Sequence, residues 1–349
     1  MFKPRRILLG GAVTVVFLFL FLWKVDFGKT MSALAEANYW WIIPAIVAYF
    51  IAVYFRTTRW HFLLSPMKVI DNRRLFPAVV IGYMANNLLP VRLGEFVRAY
   101  VVGRREGVPK AAALATILIE RVFDGVFLIV LAFVVWPFLP VSGLLGNFSD
   151  STGIPQALLV AVISIPFVLA LLAFCAIAMS PRLGTLLIKI GLVFIPGKLK
   201  GAVGTLAAGF LSGMAALRNP RRVVTMALLT APIWLMEGAM YWLIAMGFRL
   251  GLGYHAVLLT TSTSNLATSL PSSAGGVGPF EYATRVTLEA MSVPTELGAA
   301  YAIVLHVVLL APVTLLGCLF LWMEDLSLKE VANAPSSDPL GGPLGNKGR

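Results

Sequence analysis

Charged residues are scarce in this chain of 349 residues. Only 13% of them are Asp, Glu, Lys or Arg, and 59% are hydrophobic, whereas soluble domains hold about 25% charged and about 45–50% apolar residues. This scarcity excludes a soluble globular protein, because no polar stretch is long enough to fold alone outside a bilayer. The sequence predicts one all-α, polytopic membrane domain over residues 1–325 and a disordered cytoplasmic tail over residues 326–349.

Cysteine is also rare, and common enzyme signatures are missing. Cys175 and Cys318 each lie in the middle of an apolar run, so we expect small core residues there rather than a disulfide. The chain has no Walker A loop, no H-E-x-x-H and no G-x-S-x-G sequence. The GGVG at 275–278 is not followed by Lys and is better explained by close backbone approach. We therefore expect no enzyme activity, no cofactor and no metal site.

Long apolar runs, in contrast, are abundant. A spanning helix needs about 17–25 mostly apolar residues, and six segments qualify: 7–23, 39–55, 111–139, 155–179, 223–247 and 298–322. The first also resembles a signal peptide, but the nearest small-residue cleavage sequence lies too far from it, which favours a retained span. Two more apolar regions, 75–103 and 255–291, are broken near the middle by Pro and Gly and predict two re-entrant helix pairs.

Lys and Arg are distributed unevenly over this predicted topology. Of the 28 Lys and Arg residues, 21 fall on the side of both termini, three on the opposite side and four at membrane depth. Because basic residues concentrate in cytoplasmic loops, we predict a multi-pass protein of a prokaryotic plasma (inner) membrane with both termini in the cytoplasm. The net charge of +12 then reflects topology and attraction to anionic lipid, and nucleic acid is not an expected partner.

The segment 180–222 holds seven basic residues and no acidic residue. Its apolar residues recur at helical spacing, which predicts an amphipathic helix at the cytoplasmic membrane surface. A seventh span is the alternative interpretation of the same segment.

The two interrupted regions share an order of features that indicates an internal repeat. Each holds an Asn, a Pro, one or more Gly, a Glu and an Arg, and then a Val-Pro before an Ala-rich helix start. Paired Gly/Pro-interrupted segments in two halves are typical of transporters with inverted repeats and a binding site at the membrane midplane. We predict that the breaks are shaped by Pro90, Gly94, Pro271, Gly275, Gly276 and Gly278.

Several charged residues fall within apolar segments, where each costs a few kcal/mol unless it faces a partner or a wet cavity. We expect three kinds of pair: Arg92 with Glu95, Arg98 with Glu120 or Asp124, and Arg285 with Glu281. One interpretation is a structural network of salt bridges, and the other is a cavity for a charged head group. On the second interpretation the substrate-binding residues are Asn87, Arg92, Glu95, Arg98, Glu120, Arg121, Asp124, Glu281 and Arg285.

Two more titratable residues and one motif remain. Glu237 has no cation at helical spacing and His306 lies within IVLHVVLL, so both are candidates for proton coupling. A hydrogen-bonded interior role is the alternative for His306. The R-x-x-R-W sequence from Arg56 to Trp60 fits an anchor that extends its charges to the membrane surface, with contact to lipid phosphate as the alternative.

Four blocks of the sequence resemble a known family: R-T-T-R-W at 56–60, N-N-L-L-P-V-R-L-G-E-x-x-R-A at 86–99, E-R-x-x-D at 120–124 and P-S-S-A-G-G-V-G-P-F-E at 271–281. They are similar to the flippase-like family that includes the transmembrane region of lysylphosphatidylglycerol synthase, the multiple peptide resistance factor. The resemblance covers about residues 5–325, nearly the whole chain.

The resemblance implies an integral membrane protein that moves a lipid with a polar or charged head group between leaflets. Bifunctional relatives carry a soluble aminoacyl-transferase domain after the membrane part; no such domain follows the last apolar run here, so only translocation is carried over. The lipids associated with the family are anionic phospholipids, aminoacyl-phospholipids, polyprenyl-linked lipids and hopanoids. An ion- or proton-coupled carrier of a small anion, or a non-transporting accessory protein of lipid or glycan assembly, are the alternatives. The sequence does not indicate an oligomeric state.

Overall fold

The computed structural model describes residues 4–23, 25–89, 93–136, 220–270 and 274–324, with single positions between 153 and 190. The predicted span 155–179, the amphipathic segment 180–222 and the tail 326–349 fall wholly or largely outside the described residues. Within them every regular element is helical, which confirms the all-α class. The helices are α1 (Pro4–Leu22), α2 (Phe27–Glu36), α3 (Ile42–Leu64), α4 (Asn72–Leu88), α5 (Gly94–Glu106), α6 (Lys110–Val135), α7 (Pro220–Gly247), α8 (Tyr254–Ala267), α9 (Pro279–Ala290) and α10 (Thr295–Met323).

Three of the described segments are long and apolar enough to cross a membrane: Tyr39–Leu64, Arg221–Gly247 and Thr295–Met323. The bent pair α1 and α2 adds a fourth if both helices belong to one span. The predicted span 111–139 forms helix α6, whose middle carries Glu120, Arg121 and Asp124. Large apolar side chains such as Leu228 and Leu315 are exposed on these helices, as expected for surfaces that face lipid tails.

Local sequence signals set several helix ends. The side chain of Asp71 accepts a hydrogen bond from the Arg73 backbone N–H at 2.8 Å and so caps α4. Helix α5 ends at Glu106, and Gly107 after it has a φ of 69°, the left-handed conformation that glycine tolerates. Helix α9 begins with Pro279, which suits the first turn because it has no N–H to satisfy.

Both predicted interruptions are present. Helix α4 ends at Leu88 and α5 begins at Gly94, while α8 ends at Ala267 and α9 begins at Pro279 after a short 3₁₀ turn at Ala274–Gly276. The two helices of each pair pack on one another. In the first pair the backbones touch: a Cβ placed on Gly94 would collide with the carbonyl oxygen of Gly82.

The described helices form two units with the same order, long–short–short–long, over α3–α6 and α7–α10. If α3–α6 are matched in order with α7–α10, the packing contacts of one unit have counterparts in the other. Helix α4 packs on α10, and its counterpart α8 packs on α6. Helix α3 also packs on α10, and its counterpart α7 packs on α6. The turns that precede α6 and α10 also match. Gly107 and Ser292 have φ of 69° and 65°, and each is followed by a buried Val and a Pro at the helix cap.

Helices α3 and α7, which correspond in the two units, pack side by side in opposite directions. The Asn38 N–H, before α3, donates to the carbonyl of Gly247 at the end of α7 at 2.9 Å. Farther along, Arg59 donates to Thr230 at 2.9 Å, so a later residue of α3 meets an earlier residue of α7. Helices α3 and α7 are therefore antiparallel over this contact.

Cys318 is exposed on α10, so its prediction as a core residue was wrong. An apolar helix in a membrane protein presents apolar residues both to its neighbours and to lipid. Hydropathy alone does not separate these two faces. Cys175 lies outside the described residues.

Candidate functional site

A cavity of about 280 Å³ lies where the two helix interruptions meet. From the first interruption it is lined by Asn86, Asn87 and Glu95, and from the second by residues that include Asn265 and Gly275. Its wall also contains charged side chains of the long helices, namely Arg56, Arg121, Asp124 and Glu237, together with His306. Apolar side chains complete it: Leu128, Leu266, Phe280, Leu309 and Leu310. The cavity is therefore amphipathic, with ionic groups of both signs.

Buried ion pairs between α3, α6 and α7 form one side of the site. Arg59, only 1% exposed, donates to both carboxylate oxygens of Asp124 at 2.7 and 3.1 Å. Asp124 also accepts from the Trp234 indole N–H at 3.2 Å, and Arg56 donates to Glu237 at 2.5 Å. The structure brings these charges together and buries them, as their cost in a membrane requires.

Arg98 and Glu120 extend the network behind the cavity wall. Arg98 donates to Glu120 at 2.7 Å, which confirms one of the two predicted pairings. Its guanidinium carbon lies 3.8 Å from the centre of the Trp60 ring, a cation–π contact that compensates part of its lost hydration. Neither Arg98 nor Glu120 lines the main cavity. We assign both to the support of the site.

Two predictions about this network were wrong. Arg56 and Arg59 are buried in ion pairs and do not extend to the membrane surface. The predicted span ended at residue 55, whereas α3 continues to Leu64, so both side chains lie within a helix flanked by neighbours. Glu237 was thought to lack a cation, but its partner is 181 positions away in the chain. Sequence spacing shows only pairs within one helix.

Arg121 differs from the other arginines of the network. Its side chain is 37% exposed, and its nearest carboxylates, Asp124 and Glu95, lie at 3.7 and 3.8 Å, beyond hydrogen-bonding distance. Its Nε–H has no hydrogen-bond partner among the described residues, a feature it shares with Arg59 and Arg98, and the hydroxyl of Tyr83 on the same cavity wall also has none there. Arg121 is thus a cation that lines the cavity with donor capacity still available for an anion.

The second interruption brings Glu281 and His306 together. Glu281 Oε2 accepts from the Gly278 N–H at 2.7 Å, and its Oε1 lies 2.5 Å from His306 Nδ1. His306 Nε2 lies 3.0 Å from the carbonyl oxygen of Gly275, and its ring stacks on Phe280. The imidazole therefore joins the interruption to α10.

The predicted pair between Arg285 and Glu281 is wrong. Arg285 donates instead to Glu289 at 2.5 Å and to the Leu20 carbonyl oxygen of α1 at 2.9 Å. The carboxylate of Glu281 is occupied by Gly278 and His306, so Arg285 uses the acid one turn later. Arg285 does not line the cavity and holds α1 against α9.

The remaining predicted residues are placed as follows. Asn87 lines the cavity and donates to Thr314 at 2.9 Å, which fixes the end of α4 on α10. The Gly94 N–H donates a hydrogen bond to the side-chain oxygen of Asn86 at 2.7 Å. Gly275, Gly276 and Gly278 have φ between 73° and 97°, a region that favours glycine. Pro90, Arg92 and Pro271 lie outside the described residues.

Comparison with known protein families gives one clear match. Residues 7–317 match the family described as the lysylphosphatidylglycerol synthase TM region. This confirms the resemblance drawn from the four sequence blocks.

Three relatives illustrate the range of similarity. The chain is 28% identical over 346 residues to "Glycosyltransferase AglD" of Haloferax volcanii, a match over 90% of this chain and 54% of that protein. It is 24% identical over 252 residues to a UPF0104 membrane protein of Methanocaldococcus jannaschii, covering 71% and 97% of the two chains. A UPF0104 membrane protein of Methanothermobacter thermautotrophicus is 32% identical over 149 residues, 41% of this chain and 43% of that protein. The chain thus spans about half the length of the first of these relatives. No solved structure is significantly similar to the chain.

Proposed function

Since the chain belongs to the lysylphosphatidylglycerol synthase transmembrane-region family, we propose that it moves a lipid with a charged or glycosylated head group between the leaflets of a prokaryotic plasma membrane. It acts as a transporter rather than an enzyme, with both termini in the cytoplasm. The observation that carries the proposal is the amphipathic cavity at the meeting point of the two interruptions. Ionic groups of both signs suit a head group, and the adjoining leucines suit the start of the acyl or prenyl chains.

The architecture that we propose has six spans and two re-entrant helix pairs in inverted halves. The paired packing of α3–α6 and α7–α10 supports a repeat, and the opposite directions of α3 and α7 support its inversion. Inverted halves of this kind alternate access by rocking around a site near the midplane. The cavity is lined by residues of both halves, which supports this arrangement.

Head-group binding is assigned to Arg121, with Glu95 as its displaceable partner. An anionic phosphate can replace the long contacts of Arg121 by charge-assisted hydrogen bonds, which are shorter and stronger than neutral ones. The buried arginines Arg56, Arg59 and Arg98 already have carboxylate partners within 2.7 Å and support the site from behind. This division narrows the wider set of substrate residues predicted from the sequence.

The experiment is transport of phosphatidylglycerol with a fluorescent acyl chain in vesicles of phosphatidylglycerol and phosphatidylethanolamine that contain the purified protein. Dithionite added outside quenches the outer leaflet, and transport removes the protected fluorescence. We expect Arg121→Gln to slow this process about tenfold or more, since a hydrogen bond to a charged group is worth about 1.5–3 kcal/mol. Arg73→Gln, which removes an exposed cation outside the cavity, is the matched control.

Two results would contradict the proposal. One is equal transport by vesicles with and without the protein. The other is an unchanged rate in folded Arg121→Gln and Glu95→Gln variants. Uptake of radiolabelled inorganic phosphate by protein-containing vesicles that do not move lipid would instead establish a carrier of small anions.

A glycosylated head group is a second candidate, because one relative is named a glycosyltransferase. The cavity offers three amide side chains, Asn86, Asn87 and Asn265, beside the aromatic rings of Tyr49 and Tyr83. Amides and aromatic faces of this kind suit sugar hydroxyls and sugar C–H groups. Mass spectrometry of lipids that co-purify with the chain decides between a plain phospholipid and a sugar-bearing lipid.

A further inference from the structure

A continuous set of hydrogen bonds links the second interruption to α10. The Gly278 N–H donates to Glu281 Oε2, Glu281 Oε1 faces His306 Nδ1, and His306 Nε2 faces the carbonyl oxygen of Gly275. Both ends of this set are backbone groups of the interruption itself. The imidazole and the carboxylate thus hold a segment whose glycines have positive φ.

The donors and acceptors in this set fix the number of protons. The Gly275 carbonyl oxygen only accepts, so His306 Nε2 must carry a hydrogen. A second hydrogen must then lie between Nδ1 and Glu281 Oε1, which are 2.5 Å apart. A neutral imidazole beside a carboxylate supplies only one of these two hydrogens. Both contacts of the imidazole are satisfied together only when the pair holds one more proton, either as imidazolium and carboxylate or as imidazole and carboxylic acid.

We infer that the Glu281–His306 pair is a proton-binding site whose occupancy controls the geometry of the second interruption. When the proton leaves to water in the cavity, the pair changes from net neutral to a charge of −1. The single remaining ring hydrogen then satisfies either Gly275 or Glu281, and the other contact opens. This inference rests on the proposed transport function, and it makes the release and uptake of one proton part of each transport cycle.

The surroundings of His306 favour exchange with the cavity. Within the described chain, the charged side chains that line the same cavity are Arg56 from α3, Glu95 from α5, Arg121 and Asp124 from α6, and Glu237 from α7. Helices α2 and α4 also pack on α10 but contribute no charged side chain to the described lining. On α9, Arg285 is engaged with Glu289 and α1. The proton therefore has an aqueous route and one direct carboxylate partner.

The first unit contains a counterpart that does not titrate. Arg121 lies twelve residues after Pro109, and His306 lies twelve residues after Pro294. Each faces a Glu in the first turn of the short helix that follows its interruption: Glu95 for Arg121 and Glu281 for His306. Arginine keeps its proton at all physiological pH values. One half therefore carries a permanent cation and the other a titratable group, which limits the coupling to one proton.

The first measurement is nitrogen NMR of ¹⁵N-histidine-labelled protein in lipid nanodiscs. The chain has three histidines, so His61→Gln and His255→Gln leave His306 as the only signal. We expect its ring resonances to move in one step as the proton between His306 and Glu281 is lost on raising the pH. Glu281→Gln should hold His306 neutral with its hydrogen on Nε2 throughout, because the amide donates to Nδ1 and its oxygen accepts from Gly278.

The second measurement is transport of acyl-labelled phosphatidylglycerol as a function of pH. For a site that binds one proton, the protonated fraction of the Glu281–His306 pair changes about tenfold per pH unit on one side of the transition. The transport rate of the wild-type protein should change with this fraction. Glu281→Gln should give a rate that does not vary with pH. Glu289→Gln, which removes the partly exposed partner of Arg285, is the matched control and should keep the wild-type dependence.

The outcomes separate the two proposals. His306 resonances that stay fixed over the whole pH range, or that titrate identically in Glu281→Gln, overturn the proton site. Transport that stays pH-dependent in folded Glu281→Gln overturns its coupling to the interruption. A single-step titration in a protein that moves no labelled lipid supports the proton site and contradicts the proposed transport of this lipid.

Discussion

At the scale of single residues, the arginines near the cavity differ in how closely carboxylates contact their guanidinium groups. Arg59 uses both terminal nitrogens on Asp124, and Arg98 combines Glu120 with the face of Trp60. Arg121 has only long ion pairs, and its side chain is 37% exposed. Identical side chains thus differ in how closely carboxylates contact them, and only the three-dimensional pairing shows this difference.

This division predicts different costs for removing a cation from a buried and from an exposed ion pair. Arg59→Met leaves Asp124 buried without its bidentate partner, and we expect a loss of about 3–5 kcal/mol in unfolding free energy. Lys68→Met breaks a 2.8 Å ion pair in which the Lys side chain is 47% exposed, and should cost less than about 1 kcal/mol. Thermal unfolding in detergent, followed by helical circular dichroism, measures both.

Similar midpoints for Arg59→Met and Lys68→Met would show that the network contributes little to stability. Arg121→Gln is a useful third variant in the same series. We expect it to unfold near the wild-type temperature, because its ion pairs are long and partly hydrated. Its effect should appear in transport instead.

At the scale of helices, the sequence predicted both interruptions because Pro and Gly mark places where a membrane helix cannot continue. Two of the glycines that were predicted to shape the breaks lie at helix starts, Gly94 as the first residue of α5 and Gly278 immediately before α9. It did not predict the close contact of α4 with α5 at Gly82, since no local pattern reports which backbone approaches a glycine. It also ended the second span at residue 55, whereas α3 continues to Leu64.

The contact at Gly94 gives a prediction for the first helix pair. A methyl group there meets the Gly82 carbonyl and the Asn86 side chain, so Gly94→Ala should lower the unfolding free energy by about 1–3 kcal/mol through overpacking. Gly11→Ala is the matched control, because a Cβ at this helical position meets no atom within 4 Å. It should be neutral or stabilising by up to about 1 kcal/mol. Equal stability of the two variants would mean that α4 and α5 are not packed as described.

At the scale of the whole molecule, hydropathy and the distribution of Lys and Arg predicted the membrane class, and the repeated order of features predicted two halves. The ionic network could not be derived in the same way. Its pairs join residues as far apart as Arg56 and Glu237, and a single sequence contains no signal for such long-range partners. His306 and Glu237 were noticed as unusual residues in apolar helices, but their partners and hence their different roles required the fold.

The proposed inversion of the halves makes a final prediction about the two matched turns. The turn after α5 should face the cytoplasm and the turn after α9 the outside, because the exchange of the units reverses α3 against α7. Arg104→Cys and Ser292→Cys place exposed thiols at these turns, in a background where Cys175 and Cys318 are replaced by Ser. A membrane-impermeant maleimide should label the Ser292→Cys variant in intact cells and the Arg104→Cys variant only after permeabilisation. Labelling of both from the same side would require parallel halves, and alternating access by inverted repeats would then no longer explain the cavity between them.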